Sequence, residues 1–170
     1  AAVPDSAGGD GHTAGGEENR ATSVCRAAPY RDELFGAEFA HSVFISEPSG
    51  NLVHREVLVE HGATFVSHRA AGEDTSEFLA STDNWFRPTT IRVGPDGALW
   101  IADMYRLVIE HPEWIPREAR ERLDLRAGSD RGRIYRIYPL GAGLRPIPKL
   151  VQFATAALVA VLGRALRWPR

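Results

Sequence analysis

Phe44-Ile-Ser-Glu47 leads after a two-residue turn into Gly50-Asn-Leu-Val-His-Arg55, and Trp100-Ile-Ala-Asp103 leads after residues 104–131 into Gly132-Arg-Ile-Tyr-Arg-Ile137. In both stretches an apolar run ends on an acidic residue, turns, and returns through glycine into an alternating run that carries basic side chains. A strand-turn-strand unit repeated at a spacing of some tens of residues is what propeller blades require, because each small sheet covers its faces on its neighbours. Two ordinary hairpins of a sandwich are the competing explanation, and the shared acidic end and glycine return favour blades. Two copies do not close a ring. The expected fold is therefore all-β: the C-terminal blades of a six-bladed β-propeller, with a short helix in an insertion and a C-terminal helix.

Working outward from the repeat, residues 42–46, 51–60, 63–67, 89–93, 99–103 and 133–138 are strand-length and rich in β-branched or aromatic side chains. Pro48-Ser-Gly-Asn51 and Gly94-Pro-Asp-Gly97 supply the proline and glycine that tight antiparallel turns need. Residues 1–24 are small, polar and Gly-rich and read as a flexible loop or linker. Residues 25–140 form the propeller part, and residues 141–170 a linker and an apolar helix.

The second repeat is interrupted by residues 104–131. Pro116 suits the first position of a helix over residues 117–123, and Glu118 with Arg122 forms a favourable i,i+4 pair. Tyr105, Ile109, Trp114 and Ile115 predict an ordered insertion packed on a propeller face, since long connections within domains are functional or disordered and this composition is not disordered. Trp85, Trp100 and Trp114 are expected to pack, with stacking on a sugar ring as the alternative. Residues 150–163 are apolar but shorter than the roughly 20 residues of a spanning helix. They read as the first buried helix of a following helical domain, with membrane association as the alternative.

The 170 residues carry 20 basic and 22 acidic side chains, a net charge of −2 that gives no general attraction to phosphate backbones and argues against nucleic acid as a partner. Cys25 is the lone cysteine, so the chain has no intrachain disulfide and no Cys-x-x-Cys-His haem attachment.

Phe78-Leu-x-Ser81-x-Asp83-x-Trp85-Phe-Arg-Pro88, Gly94-Pro-Asp-Gly-Ala-Leu-Trp-Ile-Ala-Asp-Met-Tyr-Arg106, Val108-Ile-Glu-His-Pro-Glu-Trp-Ile-Pro116 and Asp124-x-Arg-Ala-Gly-x-Asp-x-Gly-Arg-Ile-Tyr-Arg136 together resemble the membrane-bound dehydrogenase family of planctomycetes and related bacteria, whose members are haem-binding proteins. The resemblance covers roughly residues 25–139 and includes Asn51-Leu-Val-His54. It implies a propeller followed by helical repeats and a c-type haem domain that this chain does not contain. It also implies a periplasmic or membrane-associated setting, and a chain that is one piece of a quinone- or haem-linked dehydrogenase acting on a carbohydrate or alcohol. Arg87-Pro-x-x-Ile-x-Val-Gly-Pro-Asp-Gly-Ala-Leu is similar, more distantly, to the last blades of quinoprotein sugar dehydrogenases, where arginines entering this strand contact pyrroloquinoline quinone. Only Arg87 carries over, because the usual Arg-x-Arg-Asp reads Trp85-Phe-Arg-Pro88.

The polar residues expected near the end where loops converge are Arg87, Asp103, Arg106, Glu110 and His111. Arg87 and Arg106, with Asp103 beside them, are the candidates for holding a quinone's carboxylates, which match a guanidinium fork. His111, oriented by Glu110, is the candidate base for a hydroxyl proton. The competing reading is that these residues pin the insertion to the blade, and the motifs contain no complete catalytic constellation. A non-catalytic carbohydrate- or protein-binding module is therefore the alternative function. Asp96-Gly97 offers one carboxylate, far from the six to eight oxygens of a calcium site, and reads as a turn. His54 reads as a hydrogen-bonded strand histidine.

Overall fold

A computed structural model describes residues 3–4, 23–147 and 149–165. The described residues are mostly β, built of antiparallel sheets that close no barrel. The first sheet runs in the order β2 (Arg26–Pro29), β3 (Ser42–Glu47), β4 (Leu52–His61) and β5 (Thr64–Arg69). Val53 and Leu52 also pair with β7 (Leu79–Ala80), on the edge of β4 that β5 follows further along. β1 (Val3–Pro4) lies antiparallel to β6 (Ser76–Glu77). The second sheet is a meander of β8 (Pro88–Val93), β9 (Leu99–Asp103) and β10 (Arg133–Ile137). The Gly-rich expectation for residues 1–24 falls mostly on residues 5–22, which lie outside the described residues.

The two sheets pack face to face through β2 and β3 against β8. Their shared core contains Phe44, Val53, Ile91, Leu99 and Ile101, all fully buried, with Ala28, Tyr30 and Phe35 beside them. Phe35, Phe39, Phe44 and Phe78 form a ring cluster, with Phe44 and Phe78 centroids 4.5 Å apart. Tyr30 reaches the second sheet: its hydroxyl donates to the Gly97 carbonyl at 3.0 Å and accepts the Phe35 N–H at 3.2 Å. Burial pushes that hydroxyl's pKa up to about 12. Gly97, at φ 86°, must be glycine, because a Cβ there would meet Asp32 and Leu34.

The repeat has a definite sense of packing. Phe44 points into the interface, whereas Trp100, which occupies its place in the second copy, points away from it, half-buried under Arg136 and paired across to Arg92. Conversely Ile101 is in the core and its counterpart Ile45 is on the far face. Since side chains alternate along a strand, equivalent faces of the two sheets look in the same direction. The sheets stack head to tail.

On its outward face the second sheet carries a buried carboxylate. Asp96 accepts from the Ala98 N–H, from Trp100 Nε1 and from Arg136 Nε. Burial alone would raise its pKa, and these bonds more than offset that and hold it below the ordinary carboxylate value. Asp96 is thus a turn residue with protein partners.

Beyond residue 140 an ion pair between Arg145 and Asp32 returns the chain to the first sheet. The apolar tail forms a short 3-10 turn at Leu150–Gln152 and then α2 (Thr155–Ala165). It is not a buried helix within the described residues: Leu150, Val151 and Val159 are exposed. No helix of the described residues is long and apolar enough to cross a membrane.

Candidate functional site

The insertion leaves β9 at Asp103, and its root is built by the stretches either side of the β8–β9 hairpin. Pro88 has no N–H and a register shift follows it, so regular pairing stops there. The two strands nevertheless continue side by side: Met104 N–H donates to the Arg87 carbonyl at 2.9 Å and Arg106 N–H to that of Trp85 at 3.0 Å. Asp103 holds the crossing. Its Oδ1 accepts the N–H groups of Arg87 and Tyr105, each at 2.8 Å, and the residue is 3% exposed.

Arg87 then joins three segments. Its guanidinium donates to the carbonyls of Arg106 (3.0 Å), Leu107 (3.0 Å) and Pro48 (2.9 Å). The first two belong to the insertion and the third to the β3–β4 turn, so one side chain ties the root to the neighbouring sheet. Burial lowers the Arg87 pKa, and the Glu110 and Asp103 carboxylates oppose that shift. Asp103 Oδ2 is buried and has no hydrogen-bond partner among the described residues.

The return leg closes on the same place. Leu107 N–H meets the Ala127 carbonyl at 3.4 Å, Arg106 Nη1 that of Arg126 at 3.2 Å, and Gly128 takes φ 87° where a Cβ would lie 2.2 Å from the Tyr105 carbonyl oxygen. The Tyr105 ring sits 5.4 Å from Trp85 with the Arg133 guanidinium 3.5 Å over it.

The structure therefore brings Arg87, Asp103 and Arg106 together, with the exposed Glu110 near enough to act on the Arg87 charge, and leaves His111 at the exposed tip. Glu110 accepts the N–H of its neighbour Ile109 at 3.3 Å. His111 Nδ1 accepts the Glu113 N–H at 3.3 Å and caps a 3-10 turn over Pro112–Trp114. Among the described residues no hydrogen bond joins the two. Trp114 does not pack as expected; it is 82% exposed, while the adjacent Ile115 is buried and anchors the turn. The helix after Pro116 is a single turn, α1 (Arg117–Arg120), too short for the expected Glu118–Arg122 pair. Its ion pair is instead Arg117 with Glu121 at 3.0 Å, both exposed.

A second polar cluster lies on the far face of the first sheet. His54 Nδ1 is 2.6 Å from Glu77 and Nε2 2.7 Å from Glu56. Glu77 also takes Arg69 at 2.8 Å, and Arg55 reaches Glu73 at 3.0 Å from the other side of β4. The Glu77 hydrogen bond raises the His54 pKa against the cost of burial, with Glu56 adding to it. Burial pushes Glu77 up, but His54 and Arg69 bring it below its ordinary value. With both ring nitrogens engaged, His54 is a clamp and has no nitrogen to offer a substrate. Among the described residues no group of three or more His, Cys, Asp or Glu side chains is arranged to hold a metal ion.

The sequence profile of the domain family of unknown function DUF7133 matches residues 5–141. The chain belongs to this family. No curated protein and no solved structure matches it.

In this DUF7133 domain Asn51 also builds the root, and Glu77 the cluster on the far face, beyond the residues expected from the sequence. Asn51, at φ 57°, donates from Nδ2 to the Phe86 carbonyl at 2.5 Å and accepts the Ser81 N–H at 3.0 Å, locking the β3–β4 turn to the segment before Arg87. Its signal was present, since asparagine ending a Pro-Ser-Gly turn tolerates that backbone. Glu77 is 23 residues from its partner His54, and no local pattern announces that contact.

Proposed function

We propose that this DUF7133 domain supplies two adjoining blades of a β-propeller in a dehydrogenase-like protein. In this reading the insertion presents a recognition surface for a carbohydrate or related alcohol, and redox groups outside these residues carry the electrons. The observation that carries it is the contrast within residues 104–132. The root is fastened to both sheets by Arg87, while the tip holds Trp114, Glu110 and His111 at the surface. Head-to-tail stacking supports blades over a sandwich, because blades related by rotation about one axis present the same face in the same direction. An exposed tryptophan preceded in sequence by Glu110 and Glu113 suits a sugar ring, through stacking and hydroxyl hydrogen bonds.

Arg87 directs three of its five guanidinium N–H groups at carbonyls, so its first role is to fasten the root, and two N–H groups remain for a quinone carboxylate. Arg87, Asp103 and Arg106 are on this reading positioning residues. A second reading, a binding module without turnover, is favoured by the use of His111 as a cap rather than as the partner of Glu110. The full-length protein, supplied with pyrroloquinoline quinone and calcium and assayed for dye reduction over a panel of sugars and alcohols, separates the two. Turnover supports the dehydrogenase reading. Sugar binding that needs Trp114, survives His111→Ala and gives no turnover supports the second, and the absence of both binding and turnover sinks the proposal.

A further inference from the structure

The two sheets are unequally complete. By the repeat, β3 corresponds to β9 and β4 to β10. β4 is paired on both edges, with β3 on one side and with β7 and β5 on the other. β10 pairs with β9 alone among the described residues. Beside its open edge Tyr135 and Ile137 face Leu79, Ala80, Ser81 and Phe86 across an apolar groove of about 150 Å³. An apolar space of that size takes a benzene-sized group. Ile134, pointing to the other face of the same strand, is 73% exposed. An edge strand flanked by apolar surface on both faces, with no partner among the described residues, is a template for pairing.

We propose that the open edge of β10 is a strand-acceptor site for a partner protein, which adds an extended segment antiparallel to residues 133–137 and turns an uncharged aliphatic side chain into the groove. The first sheet provides the template. Leu79 stands opposite Val53, whose place in the repeat Tyr135 takes, and Ala80 stands opposite Leu52, whose place Ile134 takes. Leu79 packs there against the core. In this mode of recognition main-chain hydrogen bonds supply affinity, and the pocket for alternate side chains supplies selectivity. The inference stands on the repeat and the open edge, and not on the dehydrogenase reading.

The probe is a labelled synthetic peptide copying residues 76–82, titrated against the full chain, with amide hydrogen exchange followed at residues 133–137. The expected result is saturable binding with new protection of those amides. Binding should weaken about tenfold or more when the peptide's leucine becomes aspartate, which cannot enter the groove uncharged. A similar loss is expected when its alanine becomes proline, which kinks the strand and removes a donor. Three results would overturn the proposal: no saturable binding, equal binding of all three peptides, or protection of residues 133–137 that grows with chain concentration without peptide. The last would assign the edge to a second copy of this chain.

Discussion

The root and the tip of the insertion are a few residues apart in sequence and opposite in character. At the root the side chains of Arg87 and Asp103 make five hydrogen bonds, counting the Asp103 bond to the Arg87 N–H once. At the tip Trp114 and Glu110 are exposed and the His111 side chain makes one long cap bond. The lesson is that a long connection is ordered from its base. Stability is stored where backbone groups would otherwise be buried without partners, and the tip is left free to make contacts with something else.

The largest break in that contrast should come from Arg87→Met, which strands three carbonyls and removes a part-buried charge beside the Glu110 and Asp103 carboxylates. A loss of about 3 kcal/mol or more is expected in urea unfolding of the full chain. A loss no larger than that of a tip variant would dissolve the distinction. Gly128→Ala should follow, at about 2 kcal/mol, because alanine is strained at φ 87° and its Cβ would strike the Tyr105 carbonyl. Hydrogen exchange should speed up at residues 104–107 and 126–128 while β3 stays protected.

The His54 clamp calibrates the root against a knot that titrates. His54 is raised, so its contribution is complete below the ordinary imidazole value and disappears as pH rises through the raised folded value. Glu77 is lowered, so its contribution is present above the ordinary carboxylate value and disappears as pH falls through the lowered folded value. The urea midpoint difference between the native chain and His54→Gln should therefore be greatest between those limits and shrink on the alkaline side. A flat difference across that range would mean that the clamp carries no charge. The Arg87 root should show no such dependence near neutrality, because a guanidinium stays charged there.

Trp114→Ala marks the small end. At 82% exposure it should move the midpoint by no more than about 0.5 kcal/mol, and its absence should be visible mainly as lost solvent-exposed tryptophan emission. A larger loss would show that the tip contributes to folding and would erase the contrast.

Much of the β structure was legible beforehand for local reasons. Strands β3, β4, β8, β9 and β10 carry alternating apolar side chains between turns whose proline and glycine are interpretable one residue at a time. β2 escaped notice because Arg26-Ala-Ala-Pro29 has neither β-branched residues nor alternation; it is a strand because β3 offers it an edge. The helix after Pro116 was overextended, since propensity rewards Arg117 to Leu123 while only one turn forms. Trp114 was expected to pack on hydrophobicity alone, and the neighbouring Ile115 took the buried position instead.

Alone, the amino-acid order determined the strand-turn-strand repeat, the acidic ends at Glu47 and Asp103, and the break between Asp103 and Gly132, because all of these are written in spacing and residue type. Only the tertiary structure decided what the charged side chains are for. Arg87 serves three carbonyls, two of which come 19 and 20 residues later and one 39 residues earlier. The physical reason is range: periodicity and turn chemistry act over a few residues, whereas a buried guanidinium finds its acceptors wherever the packed chain leaves carbonyls without partners.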